Sequence, residues 1–407
     1  IPLAQKWILM LFLGTCLLYC TRMAMPICVV HMAETFHWSK IDSGLVLGGF
    51  FWGYCFTQIL GGHASDRIGG ERVLFISVAL WALITAGTPL LARLGSHTLA
   101  LMTFSRFLMG VLQGVFFPSL ASLCSQRVVE GERGLLMSTM HGGCHLGTLL
   151  AGGMGFVMID RYGWESMFYT TGFMSGLWAL IVWQYFLKGE VAPKEMESQK
   201  HSQLLPSRAH WLRLLKKPPV WSMVFAHMCL ASTSNTLLSW LPTYFKESFP
   251  HSKGWVYNVI PWLSAIPLAV SGGYVSDSLT NQGHGVAFVR KLMQFFAMGV
   301  SSVFIMLLSG AVTCPSAVVY VSFAIGLFST HFSGVSVNVQ DLTPSCAGAL
   351  FGVLLVYLSG YLIEVTLSWT SVFSLLILVN TTGLGIFLIF GDARRVDVEH
   401  CSQLTVI

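Results

Sequence analysis

The chain has 407 residues, of which 54% are hydrophobic and only 10% charged, and its mean hydropathy is +0.68. Soluble domains carry about 25% charged residues, so this composition excludes a water-soluble fold and points to lipid as the solvent. The net charge of +5 is small and scattered through short connections, which excludes a nucleic-acid-binding surface.

The first apolar run, from Trp7 to Val30, is too long for a signal-peptide core, and no small-residue cleavage site follows it. It is read as span 1. The chain begins at Ile1 and not at Met, so a further N-terminal tail is expected ahead of it. Crossing the hydrocarbon needs about 20 apolar residues. Such runs follow near 44–62, 73–94, 99–123, 135–159, 167–187, 219–241, 257–276, 291–312, 317–338, 349–366 and 371–391. The prediction is an all-α membrane protein of twelve spans. Ten cysteines suggest a disulfide framework until they are placed. Cys16, Cys20, Cys28, Cys55, Cys144 and Cys229 fall inside apolar runs and no C-x-x-C occurs, so no disulfide and no metal site is assigned. Glycines are frequent and often paired, as in Gly48-Gly49, Gly61-Gly62 and Gly152-Gly153, which suits close helix packing in lipid.

A polar stretch, 188–218, divides the chain into an N-terminal six-helix half, 1–187, and a C-terminal half with its tail, 219–407. The Lys/Arg bias then sets orientation. With the N-terminus in the cytosol, the cytosolic face carries Lys6, Arg67, Arg72, Arg127, Arg133, the basic residues of the central stretch, Arg290, Lys291, Arg394 and Arg395. The other face carries only Lys40, Arg93, Arg161, Lys246 and Lys253. Both termini are therefore expected on the cytosolic side. The halves also echo each other. Gly62-x-x-x-Asp66-Arg67-x-Gly69, with Arg72, follows span 2, and Gly273-x-x-x-Asp277 follows span 8. Two six-helix halves related by a repeat around a central cavity resemble the plan of major facilitator transporters, whose signature turn lies between spans 2 and 3. The resemblance gives Gly62, Asp66, Arg67, Gly69, Arg72 and Asp277 a gating role, bonding neighbouring helix ends in one state and releasing them in the other.

Charges inside spans are the residues most in need of a reason, because a charge at the bilayer centre costs about 2.5–3.5 kcal/mol on insertion scales. Arg22 in span 1 and Arg106 in span 4 qualify. Counting about 1.5 Å per residue from each span's midpoint puts both roughly 6–8 Å to the non-cytosolic side of the midplane. Two guanidiniums at one depth form a site for a carboxylate or phosphate. The acids tell the opposite story: all 18 Asp and Glu fall in loops, tails or span ends, Glu364 coming nearest. Gln113 lies seven residues after Arg106, on the same helix face, where a proton-carrying acid could have sat. A neutral amide carries no proton, which favours uniport driven by membrane potential. His141, His145, His227 and His331 are the titratable groups left inside spans. Aromatic runs, Phe50-Phe51-Trp52-Gly53-Tyr54 and Phe116-Phe117-Pro118, supply rings for stacking on a base; Tyr54 and Phe117 are taken as candidates. Ser232, Ser234, Asn235 and Ser239 of span 7 form a polar facing wall, from which Asn235 is taken as a contact. No phosphate-binding G-x-x-x-x-G-K-[ST], H-E-x-x-H or G-x-S-x-G motif is present, so no enzyme activity is expected. The sequon Asn380-Thr381-Thr382 lies in span 12, out of reach of glycosylation.

These residues resemble solute carrier family 17, the anion transporters of the major facilitator superfamily, and within it the nucleotide-carrying branch. The matching segments are LLYC at 17–20, MPIC at 25–28, FFWGYC at 50–55, GGHASDRIGGE at 61–71, MTFSRFLMGVLQG at 102–114, LLSWLPTYF at 237–245, KGW at 253–255, NVIPWL at 258–263 and VNVQDLTPSCAG at 337–348. The resemblance implies loading of ATP, ADP and GTP into secretory vesicles or lysosome-related organelles. It further implies an inside-positive potential as driving force and chloride as an activator, with no other cofactor and no nucleic-acid partner. A monomer in the bilayer is expected. In that family an arginine in span 4 is required for transport and maps onto Arg106; the span 1 arginine maps onto Arg22. Where the glutamate transporters carry a histidine, a glutamate and an arginine, this chain has Leu47, Gln113 and Leu230, which argues against glutamate and against proton-coupled sialic acid export. Span 11, from Ala349 to Glu364, reads about ten residues short of the family pattern, which predicts a marginal or distorted crossing. A phosphate or organic-anion carrier of the same family is the alternative; an anion channel fits the repeat and the gating turn less well.

Overall fold

The structure is a computed structural model that describes residues 3–94, 96–127, 130–184, 218–251, 259–283, 286–328 and 342–390. Most of the central stretch, both chain ends and residues 329–341 lie outside the described residues. Among those described, all regular structure is helical. Span 1 is Leu3–Phe36, span 2 Lys40–Ile68 and span 3 Gly70–Arg93. Span 4 is a broken pair, Thr98–Gly114 and Phe116–Arg127. Spans 5 and 6 are Glu130–Tyr162 and Trp164–Val182. In the second half, span 7 is Pro218–Ser248 and span 8 Ile260–Asn281. Span 9 runs Val286–Gln294, through a π-helical segment Phe295–Val300, into Ser301–Ser309. Spans 10, 11 and 12 are Cys314–Phe328, Leu342–Thr366 and Trp369–Phe390.

Two expectations change. Span 4 does not run unbroken through 99–123 but breaks at Val115. The cause is Pro118, which has no N–H to return to the Gly114 carbonyl one turn back. Span 11, expected to be a marginal crossing, is long enough to cross. Its helix begins at Leu342, seven residues before the apolar run, and its 25 residues reach about 37 Å, enough to cross. The apolar run understated it because Leu342-Thr343-Pro344-Ser345-Cys346 reads as polar while Pro344 sits in the first turn, where its missing N–H is harmless.

Among the described residues, six helical stretches cross a membrane on length and composition alone: Ile8–Phe36, Gly70–Arg93, Thr98–Leu120, Gly143–Tyr162, Lys291–Ser309 and Trp369–Ile389. Other spans carry more hydroxyls and glycines on faces turned toward neighbours. Span 7 buries Ser232, Thr233, Thr236, Ser239 and Thr243. Several of these hydroxyls return to their own helix, as Thr236 does to the Ser232 carbonyl at 2.8 Å. Large apolar side chains such as Leu83, Phe173 and Leu378 stand exposed on the outside of the bundle, the surface lipid would cover.

Buried apolar side chains sort into two clusters. One draws on spans 1 to 6 and recruits Trp240, Val356, Ile363 and Val372; the other lies wholly in spans 7 to 12. Within the first, span 2 packs along span 4, span 1 along span 5 and span 3 along span 6. Span 2 also lies along span 11, joining the halves. The one-residue link between spans 2 and 3 is Gly69 at φ +110°, a left-handed conformation that side chains rarely adopt, so the tight reversal needs glycine.

The halves meet most tightly where span 2 begins. Ser39 and Asp42 cap that helix reciprocally, at 3.3 and 3.2 Å. The Lys40 backbone N–H donates to Glu364 of span 11 at 3.1 Å, and the Lys40 ammonium pairs with Glu247 of span 7. About two turns deeper, the Trp240 indole N–H donates to the Val356 carbonyl at 3.2 Å. Gly44 and Gly360 let the helices approach: a Cβ on Gly360 would meet the Lys40 carbonyl at 2.6 Å. Spans 2, 7 and 11 thus close one end of the bundle, opposite the end that carries Arg67 and Arg72. The ion pair is part-exposed, and such pairs contribute about 0–1 kcal/mol. Glu247→Lys is expected to raise several-fold the thiol labelling, from that side, of a cysteine placed at the buried Ser359; Lys40→Glu on top of it should restore protection.

Candidate cation-lined site in the N-terminal half

The site starts from a backbone crossing. Spans 2 and 4 touch main chain to main chain: a Cβ on Gly110 would collide with the Phe50 carbonyl, and one on Gly53 with the Phe107 carbonyl. Small residues at both positions permit this contact. It sets Phe50 and Tyr54 of span 2 against Arg106 of span 4 and Arg22 of span 1. The Arg22 guanidinium lies 4.9 Å from the Tyr19 ring centre, 4.8 Å from that of Phe50 and 4.7 Å from that of Tyr54. Arg106 lies 5.1 Å from the Phe50 ring centre. Tyr19 and Phe50 belong to the site by contact. The first went unrecognised because an aromatic residue inside an apolar span carries no signal of its own; its i, i+3 spacing to Arg22 was the clue available.

The two arginines are not equivalent walls of one cavity. Arg106 is 4% exposed, and its Nη2 donates to the Arg22 backbone carbonyl at 3.2 Å, so it packs behind the turn that carries Arg22. Arg22 is half-buried, the more accessible of the pair. Arg22 Nε and Nη2 and Arg106 Nε have no hydrogen-bond partner. Each orphaned donor costs about 1–3 kcal/mol, more where charge is involved, unless a ligand or water meets it. No carboxylate pairs with either arginine among the described residues; the ion pair found there is Lys40 with Glu247. A positive, donor-rich site without an acid is suited to an anion.

Gln113 turns toward span 1, as Arg106 does. It is fully buried, and its Nε2 donates to Thr21 Oγ1 at 2.8 Å, tying span 4 to span 1 beside Arg22; its Oε1 has no partner. Phe117 lies beyond the break in span 4, edge-on to Phe116 with ring centres 5.6 Å apart, and no contact links it to the arginines. Asn235 is half-buried in span 7 with no direct contact to either arginine shown. Trp52 is 42% exposed and turns outward. At the other end of the bundle, Arg67 and Arg72 are exposed and flank Gly69. The side chains of Asp66, Asp277, His141 and His227, the surroundings of Gly62, and all of His331 lie outside the described residues.

Two halves of six helices, with buried unneutralised guanidiniums in the first, define a secondary transport protein. The sequence pattern of the Major Facilitator Superfamily matches residues 10–359, and this chain belongs to that superfamily and to its solute carrier 17 family. It is 50% identical over 409 residues to the rat "Voltage-gated purine nucleotide uniporter SLC17A9", covering 98% of this chain and 92% of the rat protein. It is 48% identical over 414 residues to the human protein of the same name, covering 99% and 95%. Among solved structures, the D-xylose–proton symporter superposes with a TM-score of 0.74 at 15% identity, covering 96% of this chain and 98% of that one, which shows the shared fold.

The Gly53–Gly110 crossing is testable. Gly110→Val is expected to push spans 2 and 4 apart and cost about 1–3 kcal/mol of overpacking strain, seen as a lower melting temperature of the purified protein, while Gly87→Val, with open space around it, should leave it unchanged.

Proposed function

We propose that this chain carries purine nucleotide anions across a membrane as a uniporter driven by the electrical potential, by alternating access. The observation that carries the reading is the pair of arginines with orphaned donors and, among the described residues, no acid beside them. A cation site that no carboxylate neutralises binds anionic cargo, and a cavity without a buried acid lacks the group that proton coupling needs. The name of the rat and human relatives, voltage-gated purine nucleotide uniporters, supports the same cargo and energy source.

The energy suffices. Moving one charge through 100 mV is worth about 2.3 kcal/mol, so an ATP of charge near four gains about 9 kcal/mol, more than six decades of concentration ratio. The fuller reading places the protein in secretory vesicles or lysosome-related organelles with both termini cytosolic, as the Lys/Arg bias suggests. In that reading chloride activates transport, the chain works as a monomer, and its halves, 1–187 and 219–407, rock about the site. Asp66, Arg67, Arg72 and Asp277 gate the cytosolic end, and the Lys40–Glu247–Glu364 cluster closes the other.

Purified protein in liposomes, given an inside-positive potential, is expected to accumulate labelled ATP saturably and more strongly with chloride present. Collapsing the potential should abolish uptake; collapsing a pH gradient alone should leave it largely intact. Arg106→Ala is expected to lose at least 100-fold in rate, the scale of removing a charge-assisted contact, while folding and insertion persist. Strong dependence on the pH gradient would overturn the uniport reading, and stronger competition by phosphate than by ADP would favour the organic-anion alternative.

A further inference from the structure

Arg106 is buried and Arg22 half-buried, yet among the described residues no acid holds either of them. Three aromatic faces surround Arg22 instead, Tyr19, Phe50 and Tyr54, all within 5 Å of its guanidinium carbon. Phe50 and Tyr54 are one turn apart on span 2 and stack at 5.8 Å, so they present a continuous face. Tyr19 comes from the turn of span 1 before Arg22. Phe50 is shared: its centre lies 4.8 Å from the Arg22 guanidinium and 5.1 Å from that of Arg106.

We propose that the Tyr19–Phe50–Tyr54 box takes the place of a counter-ion, and that Phe50 is the positioning residue that holds both guanidiniums ready for an anionic cargo. The reason is electrostatic. An aromatic face attracts a cation through its quadrupole and carries no net charge. A carboxylate would hold an arginine as firmly but would cancel its field, compete with the cargo and add a proton that titrates. The box holds the charge and leaves its potential intact. Phe50 is 2% exposed, so its ring acts on the cargo through the arginines and not as a wall of the site. Its side chain has no hydrogen-bonding group, so the quadrupole and the shape of the ring are its whole contribution. Tyr54 differs, since its ring also carries a hydroxyl. The proposal deepens the anion-carrier reading and rests on it.

The test keeps shape and removes the quadrupole. Phenylalanine at position 50 is replaced in turn by mono-, di- and trifluorophenylalanine in the full chain, and potential-driven uptake of labelled ATP is measured in liposomes. KM is expected to climb stepwise with fluorination, by about tenfold over the series, while maximal rate and melting temperature stay near those of the unmodified chain. Phe50→Trp, with a stronger cation-binding face, should retain more affinity than Phe50→Leu. Arg106→Ala, measured alongside, separates the two ideas. If that variant transports normally, the anion site itself falls. If it is inactive while KM is flat across the fluorinated series, the anion site stands and the box is overturned. Should Phe50→Leu fail to fold, the fluorinated series still decides.

Discussion

Two guanidiniums, held beside each other in an apolar helix bundle with no carboxylate among the described residues against them, constrain most of the first half of this protein. Like charges at short range in a low-dielectric interior repel, and each also loses its hydration. The surroundings answer with what they have. A backbone carbonyl takes one Arg106 donor, and Phe50 offers a face to each arginine. Cation–π contacts are worth about 0.5–2 kcal/mol each, so a few of them offset an insertion cost of about 2.5–3.5 kcal/mol per charge without cancelling the charge. Bringing the ring that close requires spans 2 and 4 to touch along their main chains, hence glycine at Gly53 and Gly110. The thread from charge to ring to glycine is one physical requirement expressed at three levels.

The contacts that join the two halves are of another kind. Where spans 2, 7 and 11 meet, closure rests on a part-exposed ion pair, one N–H to carboxylate bond at the start of a helix and one indole to carbonyl bond. Each is individually weak, about 1 kcal/mol or less for such an ion pair and about 1 kcal/mol for such a hydrogen bond. A carrier needs this asymmetry: a site held rigidly inside one half, and an inter-half seam that opens at little cost as the halves rock. The Glu364 carboxylate illustrates it, lying against the unsatisfied N–H groups that begin span 2, a favourable position that is lost when the seam parts.

Membrane potential fits this arrangement as a driving force. In the proposed reading, an arginine site binds a polyanion and the field then does the work on the cargo's own charge. Gln113 shows how the interior avoids an acid: its amide ties spans 1 and 4 through Thr21, a structural bond that an un-ionisable side chain supplies at any pH.

Composition and hydropathy determined a helical membrane protein, because continuous apolar runs of about 20 residues satisfy their own backbone groups in lipid as helices, whereas barrel strands are short and alternate. The twelve runs, the echo of Gly62–Asp66 in Gly273–Asp277 and the isolated Arg22 and Arg106 were legible for a related reason: a helix long enough to cross, and a charge inside one, announce themselves in one dimension. Other features could not be read that way. That Arg106 sits behind Arg22, that Tyr19 and Phe50 belong with them and that Gln113 faces Thr21 follow from how three helices cross, and periodicity gives a helix face but not the partner it meets. Lys40, Glu247 and Glu364 lie hundreds of residues apart and look like ordinary loop charges; only the packing of spans 2, 7 and 11 puts them together. Span 11 likewise looked short until the fold showed its polar first turns continuing the helix, since hydropathy measures what lipid tolerates and not where a helix begins. Apolar burial and backbone hydrogen bonding act residue by residue and so leave their mark on the sequence, whereas the position of one charge relative to another is a property of three-dimensional packing and was decided there.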